Sequence, residues 1–171
     1  MPVIYYTGMQ PYSKWWLSAL LLPCALYLLS DRNAFTILGY ADLIIHEAGH
    51  FFFSFFGEFM HFLGGTLMQL IFPILLIVHF FINGYRTAVQ LFVFWLGQNL
   101  INISVYVADA PYQRLQLLGN GRHDWAYMLG RLDLISSAEL LGNMIWWSSF
   151  PVLVGSLFIP LIMENEAIGK E

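Results

Sequence analysis

The stretch Asp42-Leu43-Ile44-Ile45-His46-Glu47-Ala48-Gly49-His50-Phe51-Phe52-Phe53-Ser54 decides how this chain is read. Its apolar run is interrupted at Asp42, His46, His50 and Ser54, a spacing that puts the four polar side chains on one face of a helix. Two histidines one helical turn apart can reach a single metal ion, and the glutamate after the first can hold a metal-bound water. Zinc lowers the pKa of such a water, and the carboxylate accepts its proton during attack on a carbonyl. His46 and His50 are therefore expected metal ligands, with Glu47 as the catalytic base. Ala48 and Gly49 leave the surface between them open to another helix or a substrate. Asp42 reads either as an acceptor that orients a histidine or as a residue at the membrane boundary.

Outward from this stretch the chain stays apolar. Apolar residues make up 58% of it and charged residues 11%, with a mean hydropathy of +0.64. An ordinary soluble domain carries about 25% charge. Five apolar segments have roughly the length a bilayer crossing needs: about 15–29, 35–56, 65–83, 87–108 and 140–163. The expected fold class is all-α, a polytopic transmembrane helical bundle of about five spans plus an interfacial helix. Residues 1–171 form a single multi-pass integral membrane domain. The first segment reads as a retained helix rather than a signal peptide, since no small-x-small cleavage site follows it.

The interfacial helix is expected over Asp124–Ser137, where Trp125, Met128, Leu129, Leu132 and Ile135 have helical spacing. Five alternating spans would put the N-terminus and the Ala110–Glu139 connection on one side, which a slight excess of basic residues marks as cytoplasmic. Trp15, Trp16, Trp146 and Trp147 read as interfacial anchors or as packing residues. The net charge of −4 is small and no basic patch suggests a nucleic-acid partner. Cys24, the single cysteine, excludes an intramolecular disulfide.

A catalytic zinc site usually has three protein ligands and a water. Among the remaining histidines, His61 falls in an expected Glu58–Gly64 loop, and His79 reads as a packing or interfacial residue. Better donors stand in Gly119-Asn120-Gly121-Arg122-His123-Asp124-Trp125, where His123 and Asp124 are adjacent and glycines let the backbone turn inward. Asp109 is a further possibility. Gln98, Asn99 and Asn102 either line a cleft, binding substrate backbone or an oxyanion, or bond helices together. Gly64-Gly65-Thr66 reads as an extended segment that pairs with a substrate strand or as a tight turn. Pro73, Pro151 and Pro160 are expected to interrupt helices and widen the interior for water.

The intramembrane His46-Glu47-Ala48-Gly49-His50, the later Gly64-Gly65 and a glycine-rich loop with an aspartate together resemble the site-2-protease family of intramembrane zinc metalloproteases. The resemblance runs from about Asp42 to Trp125. It implies zinc held by His46, His50 and Asp124, with Glu47 catalytic and a membrane-anchored protein in the lipid bilayer as substrate. Two other readings stay open. A di-iron oxidase shares the His46–His50 spacing but needs more than the five histidines present. A non-catalytic metal-binding membrane factor or transporter has no need of Glu47.

Overall fold

The computed structural model describes residues 13–34, 36–115 and 122–163. Their regular structure is entirely helical: α1 (Trp16–Ser30), α2 (Leu38–Phe53), α3 (Glu58–Ile82), α4 (Arg86–Asp109), α5 (Asp124–Arg131) and α6 (Ala138–Ile162). Short 3-10 turns occupy Ser13–Trp15, Ser54–Phe56 and Ile135–Ser137. Phe35 at the expected start of the second segment, Gly119-Asn120-Gly121 and the acidic tail from Glu164 lie outside the described residues.

Local chemistry sets several boundaries. Gly57, at φ +97, turns the chain between α2 and α3 in a conformation that costs glycine little. Glu58 then faces the positive end of the α3 dipole. Gly84, at φ +75, ends α3, and the Tyr85 N–H returns to the Phe80 carbonyl at 2.9 Å. The expected Glu58–Gly64 loop is instead the first two turns of α3. Gly64-Gly65-Thr66 is neither extended nor a turn: it is buried helix, packed on α2. A Cβ added to Gly49 would fall on the Gly64 carbonyl, so small residues set how closely the two helices approach.

Two further expectations change. Pro73, Pro151 and Pro160 sit inside continuous helices rather than breaking them, as neighbouring helices permit in lipid-facing bundles. The amphipathic helix stops at Arg131, because Asp133 takes φ +55 and the Leu134 N–H closes onto the Leu129 carbonyl at 2.8 Å. Trp15 packs edge-on against Phe158 and Trp146 packs against the apolar core, whereas Trp16 and Trp147 face outward.

The burial pattern puts large apolar side chains outside and many polar ones inside. Leu20, Ile44, Leu75, Ile82, Leu140 and Leu161 are exposed, while Asp42, Gln69, Gln90, Gln98, Asn99 and Ser104 are buried. Among the described residues, three helices are long and apolar enough to cross a membrane: Glu58–Ile82, Arg86–Asp109 and Ile135–Ile162. Trp16–Ser30 is apolar but shorter.

α4 lies at the centre, packed along α6 and α3, and its contacts fix the direction of every neighbour. Gln90 donates to Ser18 Oγ and Arg32 reaches Ser104, so α1 and α4 run the same way. Asp42 meets Trp95 and His46 meets Tyr106, so α2 runs that way too. α3 and α6 run against them, with Phe72 beside Trp95, Ser18 donating to the Leu157 carbonyl and Arg32 to Asn143. Successive helices α1 and α2 are thus parallel, and residues 31–37 double back along the bundle. α2 begins partway along α4, where Leu38 and Phe94 line one small cleft with Pro23 and Tyr27. Five alternating crossings would require α1 and α2 to be antiparallel, so that arrangement does not hold. Nor do the start of α1 and the α4–α6 connection share a side: the former lies beside Gln90 and Leu157, the latter beside Tyr106 at the other end.

Candidate metal centre

α2 presents His46 and His50 one turn apart, their rings edge-to-face at 4.8 Å between centroids. Asp124, at the start of α5, meets both: its Oδ2 lies 2.8 Å from His46 Nε2 and 3.3 Å from His50 Nε2. One ligand atom from each of the three residues lies within 4.8 Å of the other two. The polar stripe ends there, since Ser54 is exposed and its hydroxyl donates to the Phe51 carbonyl. The centre lies off the middle of the bundle. His46 packs against Gly65, seven residues into α3, or about 10 Å along the helix axis.

The far nitrogen of each ring is held. His46 Nδ1 donates to Gln69 Oε1 at 2.9 Å and His50 Nδ1 to the His61 carbonyl at 2.8 Å. Because both partners are acceptors, a neutral ring carries its proton on Nδ1 and turns the Nε2 lone pair towards Asp124. Gln69 donates in turn to Asn99 Oδ1, and Asn99 donates to the Trp95 carbonyl. Trp95 Nε1 donates to Asp42 Oδ1 at 2.7 Å, closing a loop back to α2 one turn before His46. Asp42 is thus buried within this network.

Asp124 is positioned by its own neighbours. Its backbone N–H donates to the Tyr106 hydroxyl at 3.0 Å, and Trp125 Nε1 donates to Thr66 Oγ1, tying α5 to α3. Burial pushes the Asp124 carboxyl up, but hydrogen bonds and charge from His46 and His50, when both rings also carry a proton on Nε2, outweigh it and hold the group at about 2. His123 faces away from the group. Its Nδ1 accepts from the Ala126 N–H, capping α5, and its Nε2 lies 3.4 Å from Asp109 Oδ2. Asp109 in turn accepts the N–H groups of Arg114 and Leu115, which organises the chain after α4.

Glu47 is exposed on the next face of α2 and lines a cavity of about 700 Å³ together with His46, His50 and Asp124. One face of α4 forms the opposite wall through Gln98, Ile101, Asn102, Val105 and Tyr106. Gln98 and Asn102 line the cavity; Gln98 also hydrogen-bonds Asp42 across to α2 while its Oε1 has no partner, and Asn99 bonds between helices. His61, a helical residue rather than a loop residue, donates through Nδ1 to the His50 carbonyl at 3.0 Å and lines the same cavity. His79 is exposed in the last turn of α3, against Phe80.

Sequence reading missed Gln69, Tyr106 and this use of His61. Gln69 alone carried a trace, as a carboxamide inside an apolar run. Two imidazoles and one carboxylate form a donor set suited to zinc in hydrolases and to ferrous iron in oxygenases. Comparison with known protein families, curated proteins and solved structures finds no match to this chain.

Proposed function

We propose that the protein is a zinc-dependent intramembrane metalloprotease that hydrolyses peptide bonds of membrane-anchored proteins. The observation that carries this reading is the meeting of His46 and His50 with Asp124, 78 residues after His46, beside a cavity that Glu47 also lines. His46 Nε2, His50 Nε2 and Asp124 Oδ2 would hold the metal, which when bound supplies a Lewis acid and an acidified water. Glu47 takes the proton of that water and passes it to the leaving amine. Gln98 and Asn102 hold the substrate main chain across the cavity, and the Gln69–Asn99 chain keeps His46 in place.

In the membrane, α1, α3, α4 and α6 are the crossings. Residues 31–37 and α2 form a re-entrant unit that enters and leaves at the end where Asp124 lies. Arg32, Asn33, Ala34 and Thr36 border the cavity, the setting in which non-helical chain is tolerated at membrane depth.

The test is purified protein in detergent, assayed for metal content and for cleavage of a membrane-anchored peptide. Wild type is expected to carry one zinc and to cleave. Glu47→Gln should keep the zinc and lose about 10²-fold or more in rate, the scale of general-base catalysis. Bound iron with oxygen-dependent chemistry, or full activity in Glu47→Gln, would sink the reading.

A further inference from the structure

The cavity holds a second set of polar groups away from the metal centre. Arg32, on the doubled-back segment, lines it together with Thr36 and Gln98. Three of the five guanidinium N–H groups are taken: Nε by Ser104 Oγ at 3.0 Å, Nη1 by Asn143 Oδ1 at 2.7 Å and Nη2 by the Ser104 carbonyl at 2.5 Å. All three acceptors are neutral, and among the described residues Arg32 makes no ion pair. A half-buried cation in a membrane protein is expected to find a counter-charge. Here the charge is fixed in place without one, and two N–H groups have no acceptor among the described residues.

Two further features border the same cavity. Thr36 Oγ1 and Gln98 Oε1 are both buried with no hydrogen-bond partner, and Gln98 is only 4% exposed. Gly142 also keeps the guanidinium slot open: a Cβ there would lie 2.7 Å from Arg32 Nη2 and 2.7 Å from the Ser104 carbonyl oxygen. Ser104 is two residues from Tyr106, the partner of Asp124, or about 3 Å along the α4 axis. The free cation and the metal centre therefore lie at nearly the same depth.

We propose that Arg32, Thr36 and Gln98 form a subsite for a carboxylate-bearing peptide in the cavity of the metal centre. Arg32 and the Thr36 hydroxyl donate to the carboxylate, and Gln98 Oε1 accepts a main-chain N–H next to it. The carboxylate comes from an acidic side chain or from a chain end. The proposal rests on the peptidase reading, and it makes the enzyme selective for substrates with an anionic group near the scissile bond.

The test compares equilibrium binding of three labelled apolar peptides of one sequence: Glu at one position with an amidated end, Gln there with an amidated end, and Gln there with a free carboxylate end. Full-length zinc-loaded Glu47→Gln protein in zwitterionic detergent is used, with Arg32 intact or changed. One of the acidic peptides should bind about 10-fold or more tightly than the neutral one, the range for a charged hydrogen bond, and which one identifies the source. Arg32→Gln should bring that ratio close to one. Arg32→Lys, which keeps the charge but not the fork, should lower it about 3-fold or more and serves if the glutamine variant does not fold. A ratio near one with Arg32 intact, or a ratio unchanged in either variant, overturns the proposal. Because the ratio reads binding alone, a protein that binds selectively but never cleaves would count against the peptidase reading and leave this subsite standing.

Discussion

At the scale of single residues, His123 and Asp124 are neighbours with opposite assignments. Asp124→Ala is expected to abolish metal binding, whereas His123→Ala should keep the metal and lose about 1 kcal/mol of stability with the α5 cap. Metal analysis and thermal unfolding of the two variants check this, and metal loss confined to His123→Ala would reverse the assignment. Gln69→Leu should weaken metal affinity by about 10- to 100-fold, as loss of a hydrogen bond behind a ligand does; competition with a chelator measures it. Unchanged affinity would reduce Gln69 to packing. The placement of His46, Glu47 and His50 along one turn of helix was legible because a single helix sets their spacing. The residues alone left His123, Asp124 and Asp109 open, with Asp124 ahead only by resemblance, because choosing among them needs the direction in which α5 leaves Tyr106. Gln69 and Tyr106 were illegible because their partners are far away in sequence.

At the scale of the element, α2 and α3 act as a pair matched through missing side chains. A Cβ on Gly65 would sit 2.5 Å from His46 Nε2, so Gly65→Ala is expected to push the ring aside and lower zinc occupancy. Gly49→Ala meets backbone instead, at Gly64, and should cost about 1–3 kcal/mol by overpacking. Zinc content and melting temperature separate the two effects, and a Gly65→Ala protein with full zinc would show that the ring can yield. Helix positions were readable from apolar runs, since every expected segment holds a helix. Gly64-Gly65 misled the reading because glycines signal turns in water, while in a bundle they let helices come close. The early stop of α5 was hidden because Asp133 gives no strong breaker signal.

At the scale of the whole molecule, chain direction is the property that apolar runs do not encode. With α1, α3, α4 and α6 as crossings, cysteines at Met9 and Gly119 should label from opposite sides, in a protein whose exposed Cys24 is first replaced. Asn33 and Gly57 should label from the same side as Gly119. Labelling of Met9 and Gly119 from one side would restore an even number of crossings between them. The parallel course of α1 and α2 bears on biogenesis. As the chain leaves the ribosome, α3 is long and apolar enough to partition into lipid by itself, while α1 is apolar but shorter. α2, carrying Asp42, His46, Glu47 and His50, has no polar partner at that moment except α3. Trp95 and Asn99 arrive with α4, and Asp124 arrives last, after the whole of α4 has been made. The segment that bears His46-Glu47-Ala48-Gly49-His50 therefore gains most of its polar partners only after the later helices have been made. The His46–His50–Asp124 cluster is then completed only once most of the chain has been synthesised.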